Sequence, residues 1–242
     1  MNRPAIEHQD GSDKAKPAVK RVLLLKPGVT SSRAVLGDYE VWFARACGEV
    51  ALHPVEVHAG EVPPSIEGFD GVIMTGSPLS VTAPTDWMKR AADFMAEAAE
   101  KRRPVLGVCF GHQLLAWHHG APIAKNPRGR ELGTVSVQLT EQGRRSPLFE
   151  NFPAQFEVQA THDDVVLEGG GLEVLAFNER CGVQAFSRGA RIFGVQFHPE
   201  MDATSIRYCI DAPETRPEDR SGAVARETPW GERLLRRFIE LC

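Results

Sequence analysis

The segment G-V-C-F-G-H-Q places Cys109 between Gly107 and Gly111. This spacing is the cysteine counterpart of the G-x-S-x-G nucleophile elbow, in which the flanking glycines permit a sharp strand-to-helix turn. Such a turn aims the thiol at the amino end of a helix, where the dipole favours a thiolate. It also lets the backbone N–H of Phe110 face a developing oxyanion. The motif predicts a nucleophilic cysteine, and a buried structural cysteine is the alternative that it leaves open.

A thiol nucleophile needs a base, and the segment Q-F-H-P-E offers one in His198. The segment follows the apolar run RIFGV, so His198 lies near the end of a predicted strand. Glu200 comes two residues later, and residues i and i+2 of an extended chain point to the same side. The carboxylate can then orient the imidazole and stabilise its charged form. A lone histidine near a strand end is usually structural, but the three residue types together predict a Cys109–His198–Glu200 triad.

These segments resemble the class I glutamine amidotransferases, whose hallmarks are a G-x-C-x-G-x-Q nucleophile segment and a later H-P-E. The T-G-S-P turn at 75–78 is similar to the glycine-rich oxyanion loop of that family, although Ser77 stands where the family usually has a second glycine. The resemblance extends over roughly residues 22–200. It implies that the oxyanion is held by the backbone N–H of Phe110 and by one from Gly76 or Ser77.

The same resemblance makes two further residues candidates for substrate binding. Gln113 matches the position that contacts the substrate glutamine in the family. The segment T-H-D-D at 161–164 resembles the S-H-G-D stretch of the GMP synthase amidotransferase group, with Asp163 in place of glycine. His162 is therefore a candidate for lining the site.

The resemblance implies that the chain hydrolyses the side-chain amide of glutamine through a γ-glutamyl thioester on Cys109, releasing ammonia and glutamate. Synthases of the GMP synthase group carry a further nucleotide-activating domain, and too few residues follow Glu200 to form one. If the ammonia is used, we therefore expect the synthetase that uses it to be a separate chain.

Other functions remain open at this stage. A γ-glutamyl peptide hydrolase is one, because the same triad cleaves any γ-glutamyl amide if the pocket admits a bulkier leaving amine. A regulatory or binding protein of the same fold is another, although such a protein would be expected to lack a member of the triad. The related stress proteins and peptidases with a cysteine elbow tend to have histidine directly after the cysteine, where this chain has Phe110.

The elements that must position these residues follow from the apolar pattern. The runs RVLLLK at 21–26 and PVLGVCF at 104–110 are short and almost continuously apolar, which is typical of strands buried on both faces. Further strand candidates at 50–57 and 71–75 and a helical pattern over 85–103 predict βαβ units. Short alternating runs follow in the second half. The predicted fold is α/β: a flavodoxin-like, open, mostly parallel sheet with helices on both faces and antiparallel β additions in the second half.

The domain organisation is read from composition. The first 20 residues are charged and contain proline, which predicts a flexible tail at 1–20. Residues 21–242 are expected to form a single domain. Within it, the polar stretch at 211–227 is expected to be a surface loop or insertion, and 229–241 a C-terminal helix with Thr228 as its N-cap.

Charge and hydropathy narrow the class of partner. The net charge is −4, with 28 basic and 32 acidic residues, which gives no electrostatic reason to expect nucleic acid or an anionic membrane. The amino terminus lacks an apolar signal region, and no long apolar run appears later. We expect a small-molecule substrate, glutamine or a γ-glutamyl compound, and neither a nucleic-acid nor a membrane partner.

The cysteines and histidines indicate the cellular compartment of the protein and whether it binds a metal. The five cysteines form no C-x-x-C pair, so the reducing cytoplasm is the expected location. His112, His118 and His119 lie on one predicted helix, but no carboxylate or cysteine pattern completes a metal site around them. We therefore expect neither a metal nor a cofactor.

Overall fold

The computed structural model describes residues 18–242, so most of the flexible tail predicted at 1–20 falls outside the described residues, and Lys20 at its end belongs to the first strand. The described chain contains eleven strands. In chain order they are β1 Lys20–Leu25, β2 Val50–Val55, β3 Gly71–Met74, β4 Val105–Val108, β5 Ile123–Lys125, β6 Glu131–Leu139, β7 Gln155–His162, β8 Asp164–Val166, β9 Glu173–Phe177, β10 Ala185–Arg188 and β11 Ile192–Val195.

Eight α-helices connect and flank these strands within the same part of the chain. They are α1 Arg33–Leu36, α2 Tyr39–Cys47, α3 Asp86–Glu100, α4 Phe110–His118, α5 Glu141–Arg145, α6 Ala203–Asp211, α7 Pro217–Arg220 and α8 Trp230–Leu241. Single 3₁₀ turns cover Val57–Ala59, Ile66–Gly68 and Pro147–Phe149. Among the helices of the described chain, none is both long enough and apolar enough to cross a membrane.

One nine-stranded sheet organises the molecule, in the order β2-β1-β3-β4-β11-β10-β9-β6-β7. The first five of these strands are parallel, and the remaining four run antiparallel to their neighbours. Strands β5 and β8 form a separate two-stranded antiparallel sheet. The predicted mostly parallel sheet with antiparallel additions in the second half is thus confirmed.

The central strands are buried on both faces, which explains why their sequences are continuously apolar. Every residue of β3, β4 and β11 is buried. On one face, α2 and α8 pack through Phe43, Leu234 and Phe238, all of which are excluded from solvent. On the other face, α3 and α4 pack through residues such as Met95 and Leu115. Burial of each large apolar side chain contributes about 1.5–3 kcal/mol, so the two layers hold the strand ends firmly.

Two predictions about the carboxyl-terminal part need correction in detail. The polar stretch at 211–227 is not only loop, because it contains α7 and its end is tied to the sheet: the Thr134 N–H donates to the Val224 carbonyl at 2.7 Å. Helix α8 begins at Trp230, one residue later than predicted, and Pro229 occupies the N-cap position. The Thr228 hydroxyl still accepts a hydrogen bond from the Trp230 N–H at 3.4 Å. The expectation of a single domain stays a prediction.

Candidate active site

Cys109 occupies the turn between β4 and α4, at the carboxyl edge of the parallel strands. Its backbone has φ 49° and ψ −97°, in the region that side chains other than glycine rarely adopt. The Cys109 N–H is fixed by the Val195 carbonyl at 2.8 Å, and the Cys109 carbonyl accepts the Gln113 N–H at 3.0 Å. The strain is therefore held by the adjacent strand and by the helix. This is the geometry of a nucleophile elbow.

The two flanking glycines are required by close backbone contacts. A Cβ atom at Gly107 would lie 2.4 Å from the carbonyl carbon and oxygen of Gly111, and one at Gly111 would lie 2.7 Å from the carbonyl oxygen of Met74. Real Cβ atoms essentially never approach that closely, so any larger residue would push α4 away from β4 or from β3.

His198 and Glu200 follow β11, the strand that pairs with β4 in parallel. The His198 Nδ1 atom lies 2.8 Å from Oε1 of Glu200, and both side chains are buried. The sequence pattern predicted an extended chain here, but β11 ends at Val195 and a turn follows, in which the Met201 N–H donates to the His198 carbonyl at 3.3 Å. The turn, not strand alternation, brings the carboxylate to the imidazole.

The environment of His198 favours its charged form. Burial lowers the pKa of the imidazole, but the Glu200 carboxylate and Cys109, through charge and hydrogen bonding, outweigh burial. The pKa of His198 is therefore raised well above its ordinary value of 6.5. An imidazolium in this position can stabilise a thiolate on Cys109 and later return a proton.

The turn at 75–78 follows β3 and lies directly against this pair. A Cβ atom at Gly76 would lie 2.6 Å from Cε1 of His198 and 3.6 Å from Cβ of Cys109, so only glycine lets the loop come this close. The Ser77 hydroxyl donates to the Pro27 carbonyl at 3.1 Å and accepts the Leu79 N–H at 3.2 Å. The hydroxyl of Ser77 is therefore engaged by neighbouring backbone groups.

Phe110 is the first residue of α4, and its N–H has no intrahelical acceptor because of its position at the helix start. Its ring is buried and stacks on Trp87, with 6.1 Å between ring centroids and 14° between planes. The side chain thus anchors the amino end of α4. The backbone N–H is left at the end of the helix that carries the positive dipole.

A cavity of about 340 Å³ opens over Cys109. Its wall includes Ser77, Gln113, His162 and His198, four residues that the sequence had proposed for the site. Loops, helices and strand ends from several parts of the chain contribute the other residues. These are Thr30, Ser31, Tyr39, Pro78, Leu79, Ser80, Lys125, Arg130, Thr161, Asp163, Asp164, Met201, Cys209, Ala212, Glu214 and Thr215.

The two proposed substrate-binding side chains are both engaged within the protein. Nε2 of Gln113 donates to the Asp164 carbonyl at 3.0 Å and to Oε1 of Gln196 at 3.2 Å. The ring of His162 lies between the Asp164 carbonyl, 3.1 Å from Nδ1, and Oε2 of Glu131, 2.9 Å from Nε2. With both ring nitrogens occupied, His162 shapes the cavity wall, and a substrate would meet its ring carbon atoms rather than a free nitrogen.

Sequence reasoning missed several residues of the cavity. Tyr39 on α2 is buried, and burial together with the charges of Glu200 and Cys109 raises the pKa of its phenol well above 10. Cys209 on α6 is a second thiol in the same cavity, and burial raises its pKa as well. No local motif marks these two residues, because each reaches the site through the packing of a helix against the sheet.

A buried ion pair network positions the loop after β1, and it too was not predicted. Nζ of Lys26 lies 2.8 Å from Asp38 and 2.7 Å from Glu40. Burial lowers the pKa of Lys26, but Asp38 and Glu40 outweigh burial and raise the pKa above its ordinary value. Asp38 in turn accepts the N–H of Thr30 at 3.1 Å, and Thr30 lines the cavity.

The three histidines on the predicted helix, at 112, 118 and 119, are not arranged as ligands of one metal ion. His112 is fully buried against the ring of Phe186, and burial lowers its pKa to about 3. His118 and His119 pack edge to face at 5.0 Å between ring centroids. Across residues 18–242, no group of three or more His, Cys, Asp or Glu side chains is arranged to hold a metal ion.

Comparisons with known proteins identify the family that the sequence matches. A family model described as glutamine amidotransferase class-I matches residues 43–208. A component of the GMP synthase [glutamine-hydrolyzing] of Methanococcus vannielii is 33% identical over 158 residues, which cover 64% of this chain and 76% of that protein. Gamma-glutamyl peptidase 3 of Arabidopsis thaliana is 27% identical over 150 residues, and the match spans only 60% of either protein.

Solved structures support the fold. The crystal structure of a glutamine amido transferase from Methylobacillus flagellatus has a TM-score of 0.73 with this chain at 22% sequence identity, over 93% of this chain and 96% of that chain. A glutamine amidotransferase from Thermotoga maritima has a TM-score of 0.72 at 22% identity, over 92% and 97% of the two chains. At this level of identity the likeness concerns the fold alone.

Proposed function

The chain belongs to the class I glutamine amidotransferase family, and we propose that it hydrolyses the side-chain amide of glutamine through a γ-glutamyl thioester on Cys109. The observation that supports this most directly is the buried pair of His198 and Glu200, 2.8 Å apart, beside a cysteine in a strained elbow. The start of a helix and an adjacent, oriented base are both features that activate a nucleophilic cysteine.

In the proposed reaction, the Cys109 sulfur, its proton held by His198, attacks the carboxamide carbon of the substrate. The C=O electrons move to oxygen, and the oxyanion is held by the N–H of Phe110 and by one from Gly76 or Ser77. As the tetrahedral state collapses, the C–N bond breaks and His198 returns the proton to the departing ammonia.

The second half of the reaction regenerates the enzyme. Water adds to the thioester carbon and gives a proton to His198. The C–S bond then breaks, its electron pair returns to the Cys109 sulfur, and glutamate leaves. Glu200 remains an acceptor throughout and keeps Nδ1 of the imidazole directed at itself, so that Nε2 can serve the reacting atoms. No step in this cycle calls for a metal or cofactor.

A γ-glutamyl peptide is the second candidate substrate. Relatives include gamma-glutamyl peptidases 3 and 4 of Arabidopsis thaliana, at 27% and 26% identity. In addition, Ala212, Glu214 and Thr215, from the stretch predicted as an insertion, line the cavity over Cys109. These residues would shape the space for a leaving amine, and a γ-glutamyl peptide would use the same triad.

The ammonia released from glutamine could also be used by a partner protein. Relatives include GMP synthase components from two Methanococcus species, and the GMP synthase [glutamine-hydrolyzing] of Aeropyrum pernix, of which the match spans 36%. We infer that an ammonia-using synthetase, if this protein serves one, is a separate chain.

All five cysteines are free, in keeping with a reaction in the cytoplasm.

The proposal is tested by measuring ammonia and glutamate released by the purified chain from glutamine and from a γ-glutamyl dipeptide. We expect turnover of both, with kcat/KM for the dipeptide at least equal to that for glutamine, and none with Cys109→Ala. Undiminished turnover by Cys109→Ala would contradict the mechanism. Negligible turnover of both substrates by the wild type, restored when a synthetase is added, would favour the ammonia-donor function.

A further inference from the structure

Gln196 is a fully buried polar residue next to the reacting sulfur, and the mechanism above gives it no part. Its Nε2 atom lies 3.7 Å from the Sγ atom of Cys109, within hydrogen-bonding distance for sulfur. Its side chain is completely excluded from solvent. Burying an amide costs free energy unless its donors and acceptors form hydrogen bonds. The contact of the Gln196 nitrogen with the sulfur is therefore a feature to be explained.

The register of the sheet brings the two residues together. Strands β4 and β11 pair in parallel with Val108 opposite Val195, so the residues that follow them, Cys109 and Gln196, leave the sheet side by side. The Gln196 N–H is fixed by the Gln184 carbonyl at 2.8 Å. The position of the amide next to the sulfur is therefore a property of the sheet rather than of a mobile loop.

The orientation of the Gln196 amide is set by its other neighbours. The Asp164 carbonyl can only accept, so the group facing it at 3.0 Å must be the nitrogen of Gln113. That nitrogen is also 3.2 Å from Gln196, which must therefore present its oxygen to Gln113. The nitrogen of Gln196 is thereby turned to the Cys109 sulfur. If the Gln196 amide were rotated, its nitrogen would face the nitrogen of Gln113, and two donors would oppose each other.

A second buried chain of contacts holds the Asp164 carbonyl in place. The same carbonyl accepts from Nδ1 of His162 at 3.1 Å, and Nε2 of His162 meets the Glu131 carboxylate at 2.9 Å. Glu131 is buried, and Asn178 and Gln184 donate to it at 2.6 Å each. The donor aimed at the sulfur is thus the last member of a continuous, largely buried network beside the cavity.

We propose that Gln196 is a further catalytic residue, which donates a hydrogen bond from its side-chain amide to the thiolate of Cys109; this inference rests on the proposed nucleophilic role of Cys109. An N–H donor favours a charged acceptor over a neutral one, so it stabilises the thiolate against the thiol. Unlike His198, the amide does not titrate. It supplies a donor at every pH.

The same hydrogen bond assists the release of the product. When water has added to the thioester carbon, the C–S bond breaks and its electron pair passes to sulfur. A donor already directed at that sulfur stabilises the departing thiolate, while the proton of the attacking water resides on His198. Gln196 therefore acts in both halves of the reaction.

A test of Gln196 must leave the charges of the other titratable groups around the thiol unchanged. They are His198 and Glu200 after β11, Tyr39 on α2 and Cys209 on α6, together with the charged residues across the cavity. Replacing Gln196 by methionine alters none of their charges. It preserves the length of the side chain while removing the donor.

The test is the pH dependence of alkylation of Cys109 by iodoacetamide, followed at that cysteine by peptide mass spectrometry. Because hydrogen bonds to charged groups contribute more than neutral ones, Gln196→Met should move the midpoint of the rate profile upward by about one pH unit or more. The matched control is Gln159→Met. Gln159 is also buried, and its side chain bonds to Thr134 and to the Arg226 carbonyl. Its contact with the His198 N–H, at 2.8 Å, is made by the backbone carbonyl, which the substitution leaves in place, so its profile should match the wild type.

An unchanged midpoint in Gln196→Met, with Cys109 still the most reactive cysteine, would overturn the inference while leaving the proposed function intact. A wild-type chain in which Cys109 is not selectively alkylated would instead overturn the proposed function. If Gln196→Met fails to fold, Gln196→Asn replaces it, because its shorter side chain keeps a polar group but withdraws the donor from the sulfur. The same upward displacement is expected there, and an unchanged midpoint would again refute the role of Gln196.

Discussion

The Nδ1 atom of His198 lies 2.8 Å from the Oε1 atom of Glu200, and the two side chains are only 4% and 0% exposed. In water such a pair is weak, because solvent screens the charges and competes for the hydrogen bond. Inside the protein the attraction is stronger, and it outweighs the cost that burial imposes on the imidazolium. The protonation state of His198 therefore depends on the Glu200 carboxylate together with Cys109.

Replacing Glu200 by glutamine tests that dependence. The raised pKa of His198 keeps the ring protonated to higher pH, so removal of the carboxylate charge should let burial lower the pKa. We expect kcat for glutamine to fall about 10²- to 10⁴-fold, and the alkaline limb of kcat/KM to move to lower pH. Kinetics across the pH range measure both. An alkaline limb that stays in place would show that Glu200 does not control His198.

The same pair bears on stability, with a definite sign. A histidine whose pKa is raised on folding stabilises the protein fully below its ordinary value of 6.5, and this contribution disappears as pH rises through the folded pKa. The wild type should therefore lose free energy of unfolding over that upper range. Glu200→Gln should lose less. Urea unfolding at several pH values gives the comparison, and parallel pH curves for both proteins would contradict it.

Selective labelling distinguishes Cys109 from the other thiols. Burial raises the pKa of Cys47, Cys181 and Cys242 to about 12, so these cysteines should be almost entirely thiol near neutral pH. A glutamine-like chloroketone or diazoketone should therefore label Cys109 first. Peptide mapping reads the sites, and a label spread over the other cysteines would contradict the assignment. Cys209→Ala, which removes the second thiol of the cavity, should leave the labelling of Cys109 in place.

Gly76→Ala tests the close approach of the loop after β3. The added Cβ would meet Cε1 of His198 at 2.6 Å, so the loop or the imidazole must move. Misplacement of about 1 Å costs on the order of 10²-fold in rate, and we expect at least that loss in kcat/KM with the fold retained. Gly182→Ala is the control, since no atom lies within 4 Å of a Cβ there. Equal activity of both variants would refute the contact.

Lys26→Met tests the buried network behind the loop after β1. Removing the ammonium leaves Asp38, whose side chain is 2% exposed, without its main partner. Breaking a buried ion pair from one side costs about 3–5 kcal/mol, and we expect a loss of that size in the free energy of unfolding by urea. Lys101→Met removes an exposed lysine that pairs with Glu97 and should have no measurable effect. Similar losses in both variants would contradict a special role for the buried pair.

Local sequence was sufficient to predict the sharp turn at Cys109, the contact of His198 with Glu200 and the alternation of strands and helices. The glycine at 107 is imposed by a local contact with Gly111 in the same strand-to-helix turn, whereas the glycine at 111 is imposed by Met74 on β3. His198 and Glu200 are two residues apart, so their contact needs only a turn. The apolar runs predicted the buried strands because a strand covered on both faces has no solvent side. The resemblance to a family also drew attention to the turn at 75–78, in which Gly76 lies close to His198.

The tertiary structure decided which distant side chains meet at the sulfur. Gln196 directs its nitrogen at Cys109 because β11 pairs with β4 and because Gln113 and the Asp164 carbonyl settle the amide's orientation. Tyr39 and Cys209 arrive on helices packed against the sheet. These contacts depend on strand register, on helix packing and on the hydrogen-bond demands of buried polar groups, which act between residues far apart in the chain. No local pattern encodes them, so they appear only when the chain is folded.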